Sequence, residues 1–217
     1  MYSYRHLTGQ KLQGHDIDRR FEFARLMHRL ITADEDIDVN DIFFTGECSV
    51  RIGDGEFDPY EHITEHRRQG KIVSIFVGIH SKAGVIGPYY TDEIVDDADS
   101  RQTLTASRYI KLLRDEVLPE LESELSPKEY EQVWFMQDGA LAHTANTTIA
   151  FLSQKFGDRL IAKGARIGWP PYSPDFNPLD YWYWSLMKSF VNRYDPASTD
   201  EMKLVIAEVY NLIDVGS

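Results

Sequence analysis

The chain has 217 residues, of which 42% are hydrophobic, and this composition predicts one compact domain with a substantial core. Its net charge of −12 excludes a nucleic-acid interface spread over the whole surface, so any such contact must be local. The single cysteine, Cys48, excludes an internal disulfide framework, and no segment has the length and apolar content of a membrane span or a secretory signal. These features predict a soluble protein of a reducing compartment, the cytosol or the nucleus, without a membrane partner.

The first half of the chain predicts a helix followed by an antiparallel meander of strands. Asp16 is a helix start signal, and apolar residues recur after it at helical spacing. These apolar residues are Ile17, Phe21, Ala24 and Ile31. Three later segments have the apolar and aromatic content of strands, and a Gly-Asp-Gly turn favours a hairpin to a further strand. The expected elements are a helix over 16–31 and strands over 42–50, from about 56, over 71–79 and over 84–90.

In the second half the periodicity alternates between helix and strand. A long helix is expected first, although Pro119 should kink or end it. The expected elements are helices over 103–125, 146–157, 178–194 and 199–213, and strands over 133–138 and 165–169. This order predicts an α/β fold with a mixed central sheet, which is antiparallel in the meander and parallel where helices cross over.

Two aspartates stand where such a fold collects functional groups. Asp138 ends the apolar run VWFMQD, at the carboxyl edge of the sheet, although an aspartate there can also simply cap the next helix. Asp180 follows Asn177, an N-cap residue, and Pro178, and an acid in the first turn stabilises a helix without any catalytic role. If they meet, the two carboxylates can hold Mg²⁺, which prefers oxygen ligands.

The sequences around these aspartates resemble a known family. MQDGALAHTA and WPPYSPDFNPLDYWYWSLMK are similar to the second and third acidic motifs of mariner-type transposase catalytic domains, DDE superfamily endonucleases with an RNase H-like fold. The similarity extends through the strands over 71–79 and 84–90 and back to residues 7–27. It implies that Asp138 and Asp180 are catalytic, metal-binding acids, with Mg or Mn as cofactor. It further implies DNA transposition as the activity, DNA as the partner and the nucleus as the location.

The first acidic motif departs from the family. Relatives carry a stretch like FSDE, whereas this chain has FTGE, with Gly46 at the position of the missing aspartate. The neighbouring Glu47 is an auxiliary candidate, but successive strand residues point to opposite faces unless a bulge intervenes. Two carboxylates predict weak or absent binding of Mg or Mn and a severe loss of strand cleavage. The alternative is an active Mg-dependent DNA endonuclease or strand-transfer transposase that uses a substitute third ligand.

The resemblance also predicts the domain organisation. Residues 1–40 correspond to a connecting segment and helix, and residues 41–217 to an RNase H-like DDE-type domain that is truncated at its end. The helix-turn-helix DNA-binding region that precedes this domain in relatives is expected to be absent. DNA binding is therefore expected to be weakened, and a protein partner or a homodimer remains open.

Five basic residues are candidates for residual contact with a nucleic-acid backbone. They are Arg67, Arg68, Lys71, Lys163 and Arg166, and ordinary solvated surface is the competing interpretation.

Two histidine-containing motifs allow further interpretations. His143 in GALAHT is either an auxiliary group near the metal or a hydrogen-bonded structural residue. The order His62, Glu65, His66 is that of an inverted zinc-protease motif, but that motif requires a helix and this segment lies between predicted strands.

Overall fold

The computed structural model of the chain describes residues 12–32, 37–51, 72–93 and 104–214. Within them lies a five-stranded sheet with the order β3-β2-β1-β4-β5. Its strands are β1 (Ile42–Arg51), β2 (Ile72–His80), β3 (Gly84–Tyr90), β4 (Trp134–Met136) and β5 (Leu160–Ile161). The first three strands are antiparallel to one another, while β4 runs parallel to β1 and β5 parallel to β4. The mixed sheet with an antiparallel meander, expected from the sequence, is confirmed.

Helices cover both faces of this sheet. They are α1 (Gly14–Thr32), α2 (Ala106–Leu112), α3 (Leu118–Ser123), α4 (Pro127–Tyr130), α5 (Leu141–Thr144), α6 (Asn146–Phe156), α7 (Trp184–Tyr194) and α8 (Thr199–Asp214). Leu113–Val117 and Leu179–Tyr183 form π-helical turns, and Val39–Asp41 and Pro174–Phe176 form 3₁₀ turns. None of the described helices has the length and apolar character required to span a lipid bilayer.

The middle of the sheet is buried on both faces. On β2, Phe76 joins the core under α2, α3 and α6, whereas Ile75 and Val77 join the core under α7 and α8. Burial on both faces explains why this strand has a nearly continuous apolar run rather than an alternating one. The sheet is therefore a rigid support for residues at its carboxyl edge.

Gly78 on β2 is required by the packing of the neighbouring strand. A Cβ atom at this position would overlap the ring of Phe43, which is fully buried. We expect Gly78→Ala to lower the free energy of unfolding by about 3 kcal/mol, because a buried ring must leave its rotamer. Urea denaturation would measure the loss. Gly168→Ala, where the added Cβ meets nothing within 4 Å, is the control, and equal stability of both variants would contradict the prediction.

The buried face of α1 differs from the expected one. Ile17 and Phe21 are 54% and 63% exposed, so the apolar face predicted from them is wrong. Phe23 is buried instead, with its ring centroid 5.5 Å from that of Trp169 and 5.2 Å from that of Phe176. The helix has apolar residues on two sides, and the aromatic partners, distant in sequence, determine which side is buried.

Two further predictions need correction. No strand forms over 165–169, where Ile167 makes a single parallel bridge to Ile161. The structure has instead the strand β5, which the sequence did not predict. The helix expected over 103–125 forms as α2 and α3, which are separated by the π turn Leu113–Val117 just before Pro119, and it ends at Ser123. The expected Gly-Asp-Gly hairpin and the strand from about 56 lie outside the described residues.

Candidate active site

Asp138 lies just beyond β4, at the carboxyl edge of the sheet. Its neighbour Gln137 is fully buried, accepts a hydrogen bond from the Tyr109 hydroxyl (3.0 Å) and donates one to the His143 carbonyl (2.9 Å). Thr45 on β1 also donates its hydroxyl to the Met136 carbonyl at 2.6 Å. Because the backbone at the strand end is held by these bonds, the Asp138 carboxylate has a defined position.

Asp180 lies on a helical turn that is bonded to β1. Asn177 is buried; its amide nitrogen donates to the Thr45 carbonyl, and its Oδ1 accepts from the Leu179 N–H, each at 3.1 Å. The second bond is the one expected of an N-cap residue. The π turn Leu179–Tyr183 follows and carries Asp180. Two segments far apart in sequence therefore bring the aspartates to the same edge of the sheet.

Asp138 and Asp180 line one cavity of about 580 Å³, together with Asp16, Arg19, Lys163 and Trp169. Burial and the negative charge of Asp138 raise the pKa of Asp180 to about 6. The cavity therefore holds two carboxylates that repel one another, which is the electrostatic setting that a bound cation relieves.

Gly46 leaves one side of this arrangement without a carboxylate. A Cβ atom at this position would lie 3.3 Å from Leu179 Cδ1 and 3.5 Å from Asn177 Nδ2, so a side chain would point towards the turn that carries Asp180. Pairing with β2 is regular from Phe44 to Arg51, without a bulge. Glu47 accordingly points to the opposite face, as strand alternation predicts.

His143 links Glu47 to Asp138. Its Nε2 lies 2.9 Å from Glu47 Oε1, and its Nδ1 lies 2.5 Å from Asp138 Oδ1, while its ring centroid lies 4.3 Å from that of Tyr109. Burial alone would lower the pKa of His143, but the two carboxylates outweigh it and raise the pKa to about 9. Burial alone would raise the pKa of Asp138, but hydrogen bonds from His143 and the Ala140 N–H lower it. The structure thus places His143 in contact with the second acid and joins Glu47 to that acid through His143.

The ligands available to a metal are limited. Asp138 and Asp180 offer oxygen atoms, which suit Mg²⁺ or Mn²⁺. One Asp138 oxygen is already held by His143 and by the Ala140 N–H. Among the described residues, no group of three or more His, Cys, Asp or Glu side chains is arranged to hold a metal. The residues therefore fit a single cation held by two carboxylates.

The two basic candidates among the described residues have different surroundings. Lys163 lines the cavity, whereas Arg166 is exposed and pairs with Asp158 at 3.0 Å. The remaining three, Arg67, Arg68 and Lys71, lie outside the described residues, as does the zinc-protease motif of His62, Glu65 and His66.

Sequence reasoning missed the arginines of α1. Arg19 lines the cavity, and Arg20 donates to the Tyr172 carbonyl, to Ser173 Oγ and to both Asp175 oxygens at 2.7–2.9 Å. The available signal was the run of arginines in DRRFEFARLMHR, close in sequence and spaced along one helix.

Comparisons with known proteins give structural relatives. No protein-family model matches the sequence, and a search of curated proteins finds no relative. A Mos1 transposase paired-end complex with the left transposon end matches with a TM-score of 0.71 and 20% identity, over 97% of this chain and 59% of that one. The Mos1 catalytic domain with raltegravir and Mg matches with a TM-score of 0.57 and 19% identity, over 95% and 97%. The Mos1 mariner paired-end complex with Mn matches with a TM-score of 0.61 and 20% identity, over 97% and 64%.

These identities are low, and the likeness establishes the fold. This chain spans nearly the whole catalytic domain but only 59% of the Mos1 chain in the complex with the left transposon end. The chain therefore has the RNase H-like fold of the Mos1 mariner transposase catalytic domain, as the resemblance of its acidic motifs implied.

Proposed function

We propose that this chain is a transposase-derived DDE-type domain that acts on DNA and is catalytically impaired. The observation that carries the proposal is the convergence of Asp138 and Asp180 on one cavity, together with Gly46 at a strand position from which a side chain would point towards the turn of Asp180. Asp138 and Asp180 can still hold a cation, whereas Gly46 supplies no carboxylate as a third ligand. The domain then retains its structure and a weak affinity for metal.

The roles of the residues follow from their contacts. Asp138 and Asp180 would hold Mg²⁺ or Mn²⁺, and such a cation, when bound, stabilises the attacking and leaving oxygens of a phosphodiester. The imidazolium of His143, held by Glu47, fixes one oxygen of Asp138 and leaves its other oxygen for the cavity. Asn177 holds the Asp180 turn against β1. The protein residues therefore orient both ligands, and His143 favours the charged form of Asp138.

The solved relatives support DNA and a divalent cation as ligands. Mos1 structures include complexes with a transposon end, with Mn and with Mg, and a strand-transfer complex. The shared fold, and the resemblance of the two acidic motifs to those of mariner-type transposases, support extending these ligands to this chain.

A second candidate function is a metal-dependent DNA endonuclease with a substitute third ligand. Asp16 is favoured for that role because it lines the cavity that holds Asp138 and Asp180. Its oxygens, however, lie 3.0 Å from the Gln13 N–H and 3.3 Å from His15 Nε2. If this candidate is correct, Mn²⁺-dependent nicking of plasmid by the natural chain will disappear in both Asp16→Asn and Asp138→Asn.

Metal titration tests the proposed site. We expect isothermal calorimetry to show weak Mn²⁺ binding to the natural chain and binding that is weaker by about tenfold or more to Asp138→Asn and to Asp180→Asn. A carboxylate close to a cation contributes more than the roughly 1.4 kcal/mol that corresponds to a factor of ten. Glu122→Gln, which changes an exposed carboxylate on α3, is the control. Equal Mn²⁺ affinity in all four proteins would exclude the two aspartates as ligands.

A further inference from the structure

A basic groove runs between α1 and the segment 163–170. Its volume is about 630 Å³. One wall carries Arg19, Arg25 and Arg29 from α1, and the facing wall carries Lys163 and Trp169. The groove thus has cations on both sides.

The groove is continuous with the cavity that holds the two acids. Arg19, Lys163 and Trp169 line both. The Lys163 side chain also lies beside the residue that follows Asp138, because its Cδ is 3.8 Å from the Cβ position of Gly139. A ligand lying along the groove would therefore reach Asp138 without leaving the surface.

The charges in the groove are only partly neutralised. Arg25 pairs with Glu22 at 3.1 Å, and Asp18 is a second acid on the α1 side. Arg19, Arg29 and Lys163 form no ion pair within the described ranges of the chain. In a chain of net charge −12, a local concentration of cations beside an acidic cavity attracts an anion to that place.

The α1 wall is held firmly in position. Phe23 packs on Trp169 and Phe176, and Arg20 pairs with Asp175 at 2.7 Å. The arginines on the groove side are therefore presented from a fixed helix, so less side-chain and backbone freedom is lost when they bind a ligand.

We propose that this groove binds the phosphate backbone of a DNA strand and leads it to the cavity of Asp138 and Asp180. The inference rests on the proposed function, which makes DNA the polyanion expected at this cavity. Guanidinium groups bind phosphate oxygens in a planar, bidentate manner, and a lysine supplies a point charge. Arg29 would contact the strand far from the acids, and Lys163 would contact it next to them.

The test measures DNA binding without metal, so that it does not depend on the acidic site. Fluorescence anisotropy of a labelled duplex and of a single strand, each of about 20 nucleotides, is recorded in EDTA at several NaCl concentrations. The variant Arg29→Glu/Lys163→Glu changes one cation on each wall. The control Lys128→Glu/Lys155→Glu changes the net charge equally at two exposed lysines outside the groove. Circular dichroism checks that both variants are folded.

We expect Arg29→Glu/Lys163→Glu to weaken binding about tenfold or more at low salt and the control to weaken it far less. The salt dependence for duplex DNA should fall by about 1.8 in logarithmic slope, because two phosphates are no longer neutralised by the protein. Equal weakening in both variants, unchanged binding by the groove variant, or no binding by the natural chain would each overturn the proposal. Failure here with Asp138-dependent Mn²⁺ binding intact would leave the proposed metal site standing. A bound strand with no Mn²⁺ binding would instead contradict the metal site alone.

Discussion

Gly46→Asp should raise the Mn²⁺ affinity of the chain by about tenfold or more and produce Mn²⁺-dependent nicking of supercoiled plasmid. A side chain at this position points towards the turn of Asp180, so we expect a carboxylate there to add a third oxygen ligand beside the two aspartates. The added Cβ requires only that Leu179 Cδ1, at 3.3 Å, move by a few tenths of an ångström. We therefore expect the variant to fold and to gain function at one position.

The matched control for this gain is Gly46→Asn, which adds a side chain of the same shape without the charge. Calorimetry with Mn²⁺ and agarose-gel nicking assays would compare it with Gly46→Asp and with Gly46→Asp/Asp138→Asn. The double variant should return nicking to the background level, since it removes a second ligand. Equal Mn²⁺ affinity of Gly46→Asp and Gly46→Asn would show that position 46 does not belong to the metal site.

Stability should fall by up to about 3 kcal/mol between pH 6.5 and pH 9 because of His143. Its side chain is 2% exposed and lies between two carboxylates, which raise its pKa to about 9 in the folded chain. The unfolded chain has an ordinary histidine pKa near 6.5, so the folded state binds the proton more tightly. The stabilisation is therefore complete below about pH 6.5 and disappears as the pH rises through about 9.

Urea unfolding at several pH values would measure this decline. His143→Gln should be less stable at pH 6 and should lack most of the decline, because the cation between Glu47 and Asp138 is gone. His28→Gln changes an exposed histidine on α1 and should retain the full decline. The same pH dependence in His143→Gln and in the natural chain would contradict the assignment.

Local sequence patterns were sufficient for most elements of the fold. β2 and β3 follow apolar runs bounded by turn residues, and α6 ends at Gly157, whose φ is 58°. The two-residue strand β5 could not be predicted because so short a segment has no periodicity and is defined by pairing with β4. The buried face of α1 depends on Trp169 and Phe176, which lie far along the chain. Such non-local packing has no signature in a helical pattern.

For the candidate site, sequence indicated the residues but not their connections. Asp138 and Asp180 were singled out by strand-end and helix-start patterns, and the structure places them on one cavity. The hydrogen bonds from Glu47 through His143 to Asp138 include one between residues 96 positions apart, and they depend on side-chain rotamers. The arginines of α1 become part of a groove only because the helix packs beside Lys163. Tertiary contacts, absent from a linear pattern, supply this part of the site.

The contact of Arg20 with residues 172–175 makes α1 an integral part of the acidic site. The arginine closes a loop of 155 residues by pairing with Asp175, so the first helix and the third acidic motif are structurally interdependent. A fusion protein or an excised fragment that begins at β1 would keep every strand of the sheet and both aspartates. It would nevertheless lose one wall of the groove and the contacts of Arg20 that hold the segment ahead of Asp180. The smallest fragment that keeps the complete site therefore includes α1, the helix that precedes the sheet.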